Sequence, residues 1–455
     1  MMTLPQPYRP DPRILELGED FFDPVAAASF PACRQRFLND RAAAEVGLET
    51  TDWAAHFCRF EPLPGNLRQP LALRYHGHQF RHYNPDLGDG RGFLFAQLRD
   101  REGRLLDLGT KGSGTTPWSR FGDGRLTLKG GMREVLATEM LEALGVRTSR
   151  SFALFETGEE LERNDEPSPT RSAVLTRLNH SHIRIGTFQR LAYFEESENI
   201  ARLVRYCLEH LYGEAPDAGP LRLFELVVAR TAELAASYLV AGFVHGVLNT
   251  DNINITGESF DYGPWRFAPT WDVGFTAAYF DHGGLYAFGR QPEAIQWNLA
   301  QLGGCLALVT DDHPALSDAL QGFADRFHAA LAAGIMRRLG LAQGEAEQDR
   351  TLARAVTRAL AESQVGLDRF FFDWRGGVPV EASGYDHPAF AAVREAIGDR
   401  RGNRDHPYWS DAAPCAMLID EVEAIWAAIA TDDDWGPFER KIAAIRRMGD
   451  ALDRG

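Results

Sequence analysis

One polar stretch of the chain carries an amide and a carboxylate at a spacing that could hold a metal ion. Asn252 stands seven positions after His245, and Asp261 follows nine positions later. An amide oxygen and a carboxylate are hard ligands that suit Mg²⁺ or Mn²⁺, and these ions also bind phosphate. The stretch therefore predicts a metal, held by Asn252 and Asp261, that neutralises the phosphates of a nucleotide.

This order of residues matches the catalytic loop of protein kinases except at one position. In that loop an Asp two residues after the His accepts the proton of the substrate hydroxyl. Val247 occupies this position here, and a valine cannot take a proton. The residues alone leave two alternatives: a kinase without activity, or a metal site that serves a different transfer.

A glycine-rich turn and two strands come earlier in the chain, in the order of a kinase N-lobe. Gly88 and Gly90, followed by Arg91, form the turn, and the patterns of Phe93–Leu98 and Leu105–Lys111 predict the strands. Glycine lets backbone N–H groups approach phosphates closely. We expect a nucleotide site at this turn; an ordinary hairpin turn is the alternative interpretation.

The lysine that ends the second strand has a candidate partner in the next helix. Apolar spacing over Met132–Leu144 predicts an amphipathic helix. Glu134 lies in its first turn, 23 residues after Lys111. A lysine paired with a glutamate is a fixed charge that can grip phosphate oxygens. We therefore expect an ion pair between Lys111 and Glu134.

Two arginines flank a short polar segment near the end of the strand-rich part. Arg177 and Arg184 lie outside any helical ion-pair pattern, and guanidiniums at this place suit a phosphate tail. Solvated surface arginines are the alternative. His180 and His182 have the spacing of metal ligands but lack a nearby Cys or Glu partner, so we interpret them, like His245, as structural residues.

The chain divides into a strand-rich first part and a helical second part. Ser151–Phe155 and Ala173–Leu178 complete the predicted strands, and the acidic segment Glu159–Pro169 predicts a loop between them. The predicted helices are Leu221–Ala241, Pro314–Leu339, Glu345–Ser363, Pro388–Ile397, Ile419–Ala430 and Trp435–Asp450. This order predicts an α+β, protein-kinase-like, two-lobed fold. The predicted units are an N-terminal extension (1–70), a β-rich N-lobe (71–195) and a helical C-lobe with extra C-terminal helices (196–455).

The bulk composition indicates an ordinary soluble protein. The 455 residues are 44% hydrophobic and 25% charged, which is enough for a large core. The net charge of −16, without a long basic run, argues against a nucleic-acid polymer as partner. The sequence lacks an apolar stretch long enough for a membrane span, so we expect no membrane partner and a cytoplasmic location.

We expect reduced thiols at the scattered cysteines Cys33, Cys58, Cys207, Cys305 and Cys415.

Several unusual motifs between about residues 70 and 300 stand in an order known from one protein family. They are Tyr75–Phe80, Asn84–Arg91, Lys111–Arg120, Ser181–Arg184, His245–Asn252 and Asp261–Pro264. On these segments the chain closely resembles the SelO family. The resemblance implies a protein-kinase-like fold in which ATP lies reversed, so that the α-phosphate faces the acceptor and pyrophosphate leaves.

The resemblance also implies a role for each matching residue. It makes Lys111 and Glu134 the ion pair, and Asn252 and Asp261 the metal ligands. It makes Asp251, beside the metal-ligand Asn, the candidate proton acceptor. The residues implied to line the nucleotide site, with Lys111 and Asp261, are Gly88, Gly90, Arg91, Asp123, Gly124, Arg177 and Arg184.

Residues and resemblance together predict a metal-dependent adenylyltransferase that moves AMP from ATP to Ser, Thr or Tyr hydroxyls of partner proteins. The alternatives are a kinase that transfers the γ-phosphate and an inert nucleotide-binding scaffold. Val247 disfavours the first alternative. The second is disfavoured by the retained metal and phosphate set, which is Lys111, Glu134, Asn252 and Asp261. Many family members end in a Cys- or selenocysteine-containing tail. Cys415 is the last cysteine here, so we expect no gating by a C-terminal disulfide.

Overall fold

Strands are concentrated in the first half of the chain and helices in the second. The computed structural model describes residues 7–164, 166–379 and 384–453. The strands are β1 (Phe22–Pro24), β2 (Arg34–Leu38), β3 (Leu71–Leu73), β4 (Gly77–Gln79), β5 (His82–Asn84), β6 (Leu94–Arg99), β7 (Leu105–Lys111), β8 (Leu126–Thr127), β9 (Arg150–Leu161), β10 (Thr170–Asn179), β11 (Phe243–Val244) and β12 (Arg266–Phe267). The α-helices are α1 (Asp40–Val46), α2 (Trp53–Phe57), α3 (Leu128–Ala143), α4 (Ile185–Tyr193), α5 (Ser197–Tyr206), α6 (Gly219–Ala241), α7 (Gln291–Leu306), α8 (His313–Gln321), α9 (Phe323–Leu339), α10 (Ala346–Ser363), α11 (Leu367–Asp373), α12 (Phe390–Ile397), α13 (Ile419–Asp432) and α14 (Gly436–Asp453). Short 3-10 turns lie at Arg13–Leu17, Thr250–Asn252, Phe288–Arg290 and Pro407–Ser410, and a π-helical turn lies at Cys207–Tyr212.

An antiparallel sheet with the strand order β1-β3-β6-β7-β10-β9-β2 forms the centre of the strand-rich part, and β8 pairs with β10. Lys111 at the end of β7 lies opposite Leu175 of β10, in the middle of this sheet. Successive residues of a strand point to opposite faces. Leu105 belongs to the core that includes α3, whereas Leu106 belongs to the core that includes α1 and α2. Both faces of β7 are buried, which explains its nearly continuous apolar run.

The helix that carries Glu134 begins four residues before the predicted range. It begins there because the Thr127 side chain accepts a hydrogen bond from the Gly130 N–H and caps the helix. Gly131 faces the sheet, where an added Cβ would lie 2.5 Å from Leu154. The glycine therefore lets α3 approach the sheet closely.

Most of the other predicted elements are present, and the differences have local causes. β7 has the predicted bounds, whereas β9 continues to Leu161, into the segment expected to be a loop. The helix expected over Pro314–Leu339 is interrupted at Gly322, where α8 ends and α9 begins. Glycine is a weak helix former, which suits such a break. No predicted helix range corresponds to α1, α2, α4, α5, α7 or α11.

The first seventy residues, expected as an extension on the surface, also supply both edges of the sheet. β1 pairs with β3 at one edge, and β2 pairs with β9 at the other. At the far end of the chain, α14 packs on α3, where Arg446 Nε lies 2.8 Å from Glu139 Oε2. Segments distant in sequence therefore hold the sheet and α3 together.

Cys33 and Cys58 form a disulfide with a Cα–Cα distance of 6.0 Å. The expectation of reduced thiols is therefore wrong for this pair, while Cys207, Cys305 and Cys415 are free. The two cysteines meet because β2, which follows Cys33, and α2, which precedes Cys58, both lie against β9. Disulfides are uncommon in reducing compartments, so the cysteines do not support the expected cytoplasmic location.

Helix α6 leads directly into the polar stretch that holds the expected metal ligands. It ends at Gly242, whose φ of 71° lies in the left-handed region that favours glycine. The chain then forms β11, which pairs with β12, and reaches the 3-10 turn at Thr250–Asn252. Over the residues that the structure describes, no helix is long and apolar enough to cross a membrane.

Candidate nucleotide and metal site

A cleft of about 760 Å³ brings most of the predicted site residues together. Its lining comes from β7, β10, the glycine turn, the loop before β8 and the Thr250–Asn252 turn. The predicted residues on its wall are Gly88, Gly90, Arg91, Lys111, Asp123, Gly124, Arg177, Asp251, Asn252 and Asp261. Glu134 and Arg184 are buried behind this wall and contact its charged residues from within.

Lys111 is held at the wall of the cleft by several acceptors. Its Nζ lies 2.6 Å from Glu134 Oε2 and 3.4 Å from Asp261 Oδ1. It also donates a hydrogen bond to the Tyr262 carbonyl at 3.1 Å. The structure thus contains the predicted ion pair, with its lysine on β7 and its glutamate on α3. Because both elements are fixed by the sheet core, the ammonium is a positioned charge.

Asp261 is surrounded by cations. Arg177 Nη1 lies 3.1 Å from its Oδ1, and Arg184 Nη1 lies 3.4 Å from its Oδ2, in addition to the contact with Lys111. Burial by itself raises the pKa of this carboxyl, but the neighbouring charges outweigh burial and hold the pKa well below its usual range. Its φ of 64° lies in the left-handed region, which residues other than glycine seldom adopt. The Asp261 carboxylate is therefore ionised, and its oxygens can act as ligands for a metal ion.

Asp251 has the opposite surroundings. The residue is 8% exposed, and its Oδ1 accepts no hydrogen bond from the described part of the chain. A Cβ on Gly77 would lie 2.8 Å from this oxygen, so glycine allows the hairpin of β4 and β5 to close over the carboxylate. Burial raises the pKa of Asp251 to about 7, although the charge of Arg184 opposes the shift. Such a carboxyl group can accept a proton near neutral pH.

Asn252 can offer one oxygen to a cation in the cleft. Its Nδ2 donates to the Val247 carbonyl at 2.9 Å, which fixes the amide and leaves Oδ1 as an acceptor. In the described ranges, no group of three or more His, Cys, Asp or Glu side chains is arranged to hold a metal. Asn252 and Asp261 nevertheless fit Mg²⁺ or Mn²⁺, because these ions keep waters and share phosphate oxygens.

Gly88 and Gly90 must be glycines because the loop before β8 packs directly on them, and the sequence does not reveal this contact. A Cβ on Gly88 would lie 2.4 Å from the Trp118 ring, and a Cβ on Gly90 would lie 2.9 Å from the Trp118 carbonyl. Ser119 Oγ also donates to the Gly90 carbonyl. The loop before β8 therefore packs on the glycine turn and fixes it, while Arg91 is exposed on the cleft wall.

Asp123 and Gly124 lie in the same loop, on the outer part of the cleft wall. Asp123 is exposed, and its Oδ2 lies 2.9 Å from Arg163 Nη1. Arg163, Arg120 and Arg125 also line the cleft; Arg120 ends one of the family motifs, whereas no sequence pattern indicates the other two. Arg163 lies in the segment expected to be an acidic loop, where no local pattern indicates that it reaches a site in another part of the chain.

A hairpin and a helix hold the 3-10 turn that carries Asp251, and sequence reasoning missed this support. The His78 N–H donates to Thr250 Oγ1 at 2.7 Å, and the Thr250 hydroxyl donates to Gln189 Oε1 at 2.5 Å. Arg184 Nη1 donates to the Asp251 carbonyl at 3.0 Å. Arg184 thus lies beneath the turn and not on the wall of the cleft. The sequence could have indicated His78, because this residue belongs to the family motif Tyr75–Phe80.

The histidines singled out in the sequence have structural partners. His245 is buried, with Nε2 at 3.0 Å from the carbonyl of the residue before Asp261. His182 Nδ1 lies 3.2 Å from Asp107 Oδ2. The His180 contact is made by its backbone N–H, which donates to Glu258 Oε2 at 2.7 Å, while its ring Nε2 has no partner in the described part of the chain. The rings of His245 and His182 therefore stabilise segments that frame the cleft.

Comparisons with known proteins agree on one family. A family model described as "Protein adenylyltransferase SelO" matches residues 7–382. The chain is 45% identical to a "Protein nucleotidyltransferase YdiU" of Gloeobacter violaceus, over 96% of this chain and 95% of that protein. It is 43% identical to the protein of that name from Synechocystis, over 96% and 97%. For the protein of that name from Rhodopseudomonas palustris, the identity is 36% over 98% and 94%.

Proposed function

Because this chain belongs to the SelO family, we propose that it transfers AMP from ATP to Ser, Thr or Tyr hydroxyls of other proteins and releases pyrophosphate. The chain is a nucleotidyltransferase, as are the relatives by their names. The proposal includes ATP as the donor, a Ser, Thr or Tyr hydroxyl as the acceptor, and Mg²⁺ or Mn²⁺ as the metal.

The position of the Asp251 side chain and the lack of a hydrogen-bond partner for its Oδ1 among the described residues are the observation that best supports the proposal. Its carboxylate lies on the cleft wall, and its Oδ1 has no hydrogen-bond donor in the part of the chain that the structure describes. Val247, where a kinase carries its base, lines the same cleft with an apolar side chain. The proton acceptor is therefore displaced from the kinase position, which favours the transfer of a different phosphorus atom.

Fixed cations supply the binding of the triphosphate in this proposal. Lys111 and Arg177 lie on the cleft wall and are held in place by Glu134 and Asp261. Guanidinium and ammonium groups of this kind bind phosphate oxygens strongly. Asn252 and Asp261 would hold a Mg²⁺ or Mn²⁺ ion, and that ion, when bound, would neutralise phosphate charge.

The proposed reaction is an attack of the acceptor hydroxyl on the α-phosphorus of ATP. A bond forms between the hydroxyl oxygen and the α-phosphorus. The bond from the α-phosphorus to its bridging oxygen breaks, and pyrophosphate leaves with the electron pair. Asp251 accepts the hydroxyl proton. For this attack the α-phosphate must face Asp251, so the nucleotide lies reversed relative to a kinase.

The same proposal includes a protein-kinase-like arrangement of two lobes. A glycine turn, a strand ending in Lys111, a helix with Glu134 and a later loop with Asn252 follow each other in the kinase order. We place the β-rich lobe at residues 71–195 and the helical lobe at 196–455. The mixed composition, with an antiparallel sheet first and helices after it, supports this division.

Mass spectrometry of the products tests the proposal directly. The protein is incubated with ATP, Mg²⁺ or Mn²⁺ and dephosphorylated casein as a generic acceptor, and both proteins are digested and sequenced. We expect the mass of an AMP group on Ser, Thr or Tyr side chains, and none with Asp261→Ala. A phosphate group on the same side chains, or no modification of either protein, would contradict the proposal.

A further inference from the structure

The segment after the expected metal ligands presents large apolar side chains to solvent. Tyr279 is 82% exposed and Phe280 is 43% exposed, and their ring centroids lie 5.1 Å apart. Clustered apolar side chains on a surface usually mark an interaction site. We call Tyr279 and Phe280, together with Phe80, the aromatic shelf.

The shelf is held rigidly. The Asp281 carboxylate accepts hydrogen bonds from the N–H groups of Leu285 and Tyr286, each at 2.8 Å. The Tyr286 hydroxyl donates to Asn249 Oδ1 at 2.7 Å, and the Phe80 N–H donates to the same oxygen at 3.1 Å. The exposed side chains therefore sit on a fixed backbone, not on a frayed loop.

The shelf is continuous with the wall of the cleft on two sides. Gln79 lines the cleft, and the ring of the next residue, Phe80, lies 5.8 Å from the ring of Phe280. Val247 also lines the cleft, and a Cβ on its neighbour Gly246 would lie 3.1 Å from Ala277 Cβ. Asn249, which binds the shelf, stands two residues before Asp251. A protein segment whose hydroxyl reaches Asp251 can therefore extend onto the shelf.

We infer that the aromatic shelf docks the acceptor protein, as an extended segment that carries a large apolar residue close to the modified hydroxyl. The inference rests on the proposed function, because the partner is the acceptor of the same site. Burial of one large apolar side chain on the shelf corresponds to about a tenfold preference in kcat/KM.

A positional-scanning peptide library labelled from ATP with a labelled α-phosphate tests the inference. Each peptide carries one Ser, Thr or Tyr, and the flanking positions are varied one at a time. The wild-type protein should label peptides with Phe, Leu or Met near the hydroxyl about tenfold faster than peptides with Ser there. The double variant Tyr279→Ser/Phe280→Ser should lose this preference and keep its KM for ATP.

Leu308→Ser provides the matched control, because Leu308 is 47% exposed and lies outside the shelf. This variant should keep the wild-type preference, and thermal unfolding should show that all variants fold. An α-label pattern that is the same in the wild type and the double variant would overturn the docking surface alone. Absence of α-label from every peptide with the wild-type protein would instead overturn the proposed function, and the docking surface with it.

Discussion

Asp251 and Asp261 stand ten residues apart on the wall of one cleft, yet their surroundings are opposite. Asp261 is in contact with Lys111, Arg177 and Arg184, and these charges keep its pKa well below the usual range despite burial. Asp251 lies under Gly77, and burial raises its pKa to about 7. The same residue type therefore has two different protonation behaviours in one cleft.

The difference follows from which charges the fold brings to each carboxyl group. Neighbouring cations keep a carboxylate ionised, which a metal ligand must be, whereas a buried carboxyl group with few partners can take up and release a proton near neutral pH. Arg184 contributes to both regions, since its guanidinium reaches the Asp261 carboxylate but only the backbone carbonyl of Asp251. The comparison predicts that the two carboxylates fail in different ways when they are replaced.

The largest effect is expected for Asp261→Ala. Without this carboxylate a metal would be held by Asn252 alone, and the loss of several kcal/mol of transition-state stabilisation corresponds to about a thousandfold lower rate. Metal-dependent ATP binding should fall as well. Rates of α-label transfer and calorimetric ATP titrations with and without Mg²⁺ measure both. Asp318→Ala, at an exposed position of α8, is the control. A rate above about a tenth of wild type would remove Asp261 from the site.

Asp251→Asn should lower kcat by about a hundredfold or more, which is the usual contribution of a general base. ATP affinity should stay near that of the wild type, because the replaced oxygen interacts with the hydroxyl and not with the triphosphate. Single-turnover rates and ATP titrations separate the two quantities. Loss of ATP binding in this variant would contradict the different roles proposed for Asp251 and Asp261.

Lys111→Arg should fail although it keeps the charge. Lys111 is buried, its Nζ is 2.6 Å from Glu134, and a guanidinium is larger and directed differently. We expect ATP affinity and rate to fall together by about tenfold. Lys129→Arg is the matched control, since Lys129 pairs with Glu423 at 2.7 Å in a more exposed position. Full activity of Lys111→Arg would show that net charge suffices there.

Glu258 adds a third carboxyl group to the comparison, and it lies outside the cleft. Burial raises the pKa of this group to about 7. The folded state holds this proton more tightly than the unfolded state, where the pKa is about 4.5. The stability from this group is complete below pH 4.5 and is lost as the pH rises to about 7. Glu258→Gln should therefore raise the unfolding free energy by about 3 kcal/mol at pH 8, with no gain at pH 4 and unchanged activity. Urea titrations at both pH values measure it, and an equal gain at both would contradict the assignment.

The sequence reveals the parts of the site that depend on chain order, and it misses those that depend on tertiary contacts. Lys111, Glu134, Asn252 and Asp261 are predictable, because each has a residue type and spacing tied to an element. The support of Asp251 by Gly77 is not, since a hairpin from far earlier in the chain supplies it. The loop before β8, whose packing makes the turn glycines necessary, is likewise invisible until the sheet is formed.

The same limit applies to the fold. β7 and α6 have the expected character because long apolar runs between glycines and turns leave few alternatives. The Cys33–Cys58 disulfide escapes prediction, since a separation of 25 residues has no pattern by itself. Arg184 was expected on the cleft wall, and no local feature indicates that it instead lies beneath the Asp251 turn.

The central claim is that the nucleotide presents its α-phosphorus to Asp251, and labelled ATP tests it most directly. Wild type and Val247→Asp are incubated in parallel with ATP that carries the label at the α- or the γ-phosphate. A carboxylate at 247 restores the kinase base but finds no acceptor hydroxyl, and it adds a like charge in the cleft. Both proteins should transfer α-label and no γ-label, with the variant equal or slower. Transfer of γ-label to protein by Val247→Asp, or by the wild type, would contradict the reversed nucleotide.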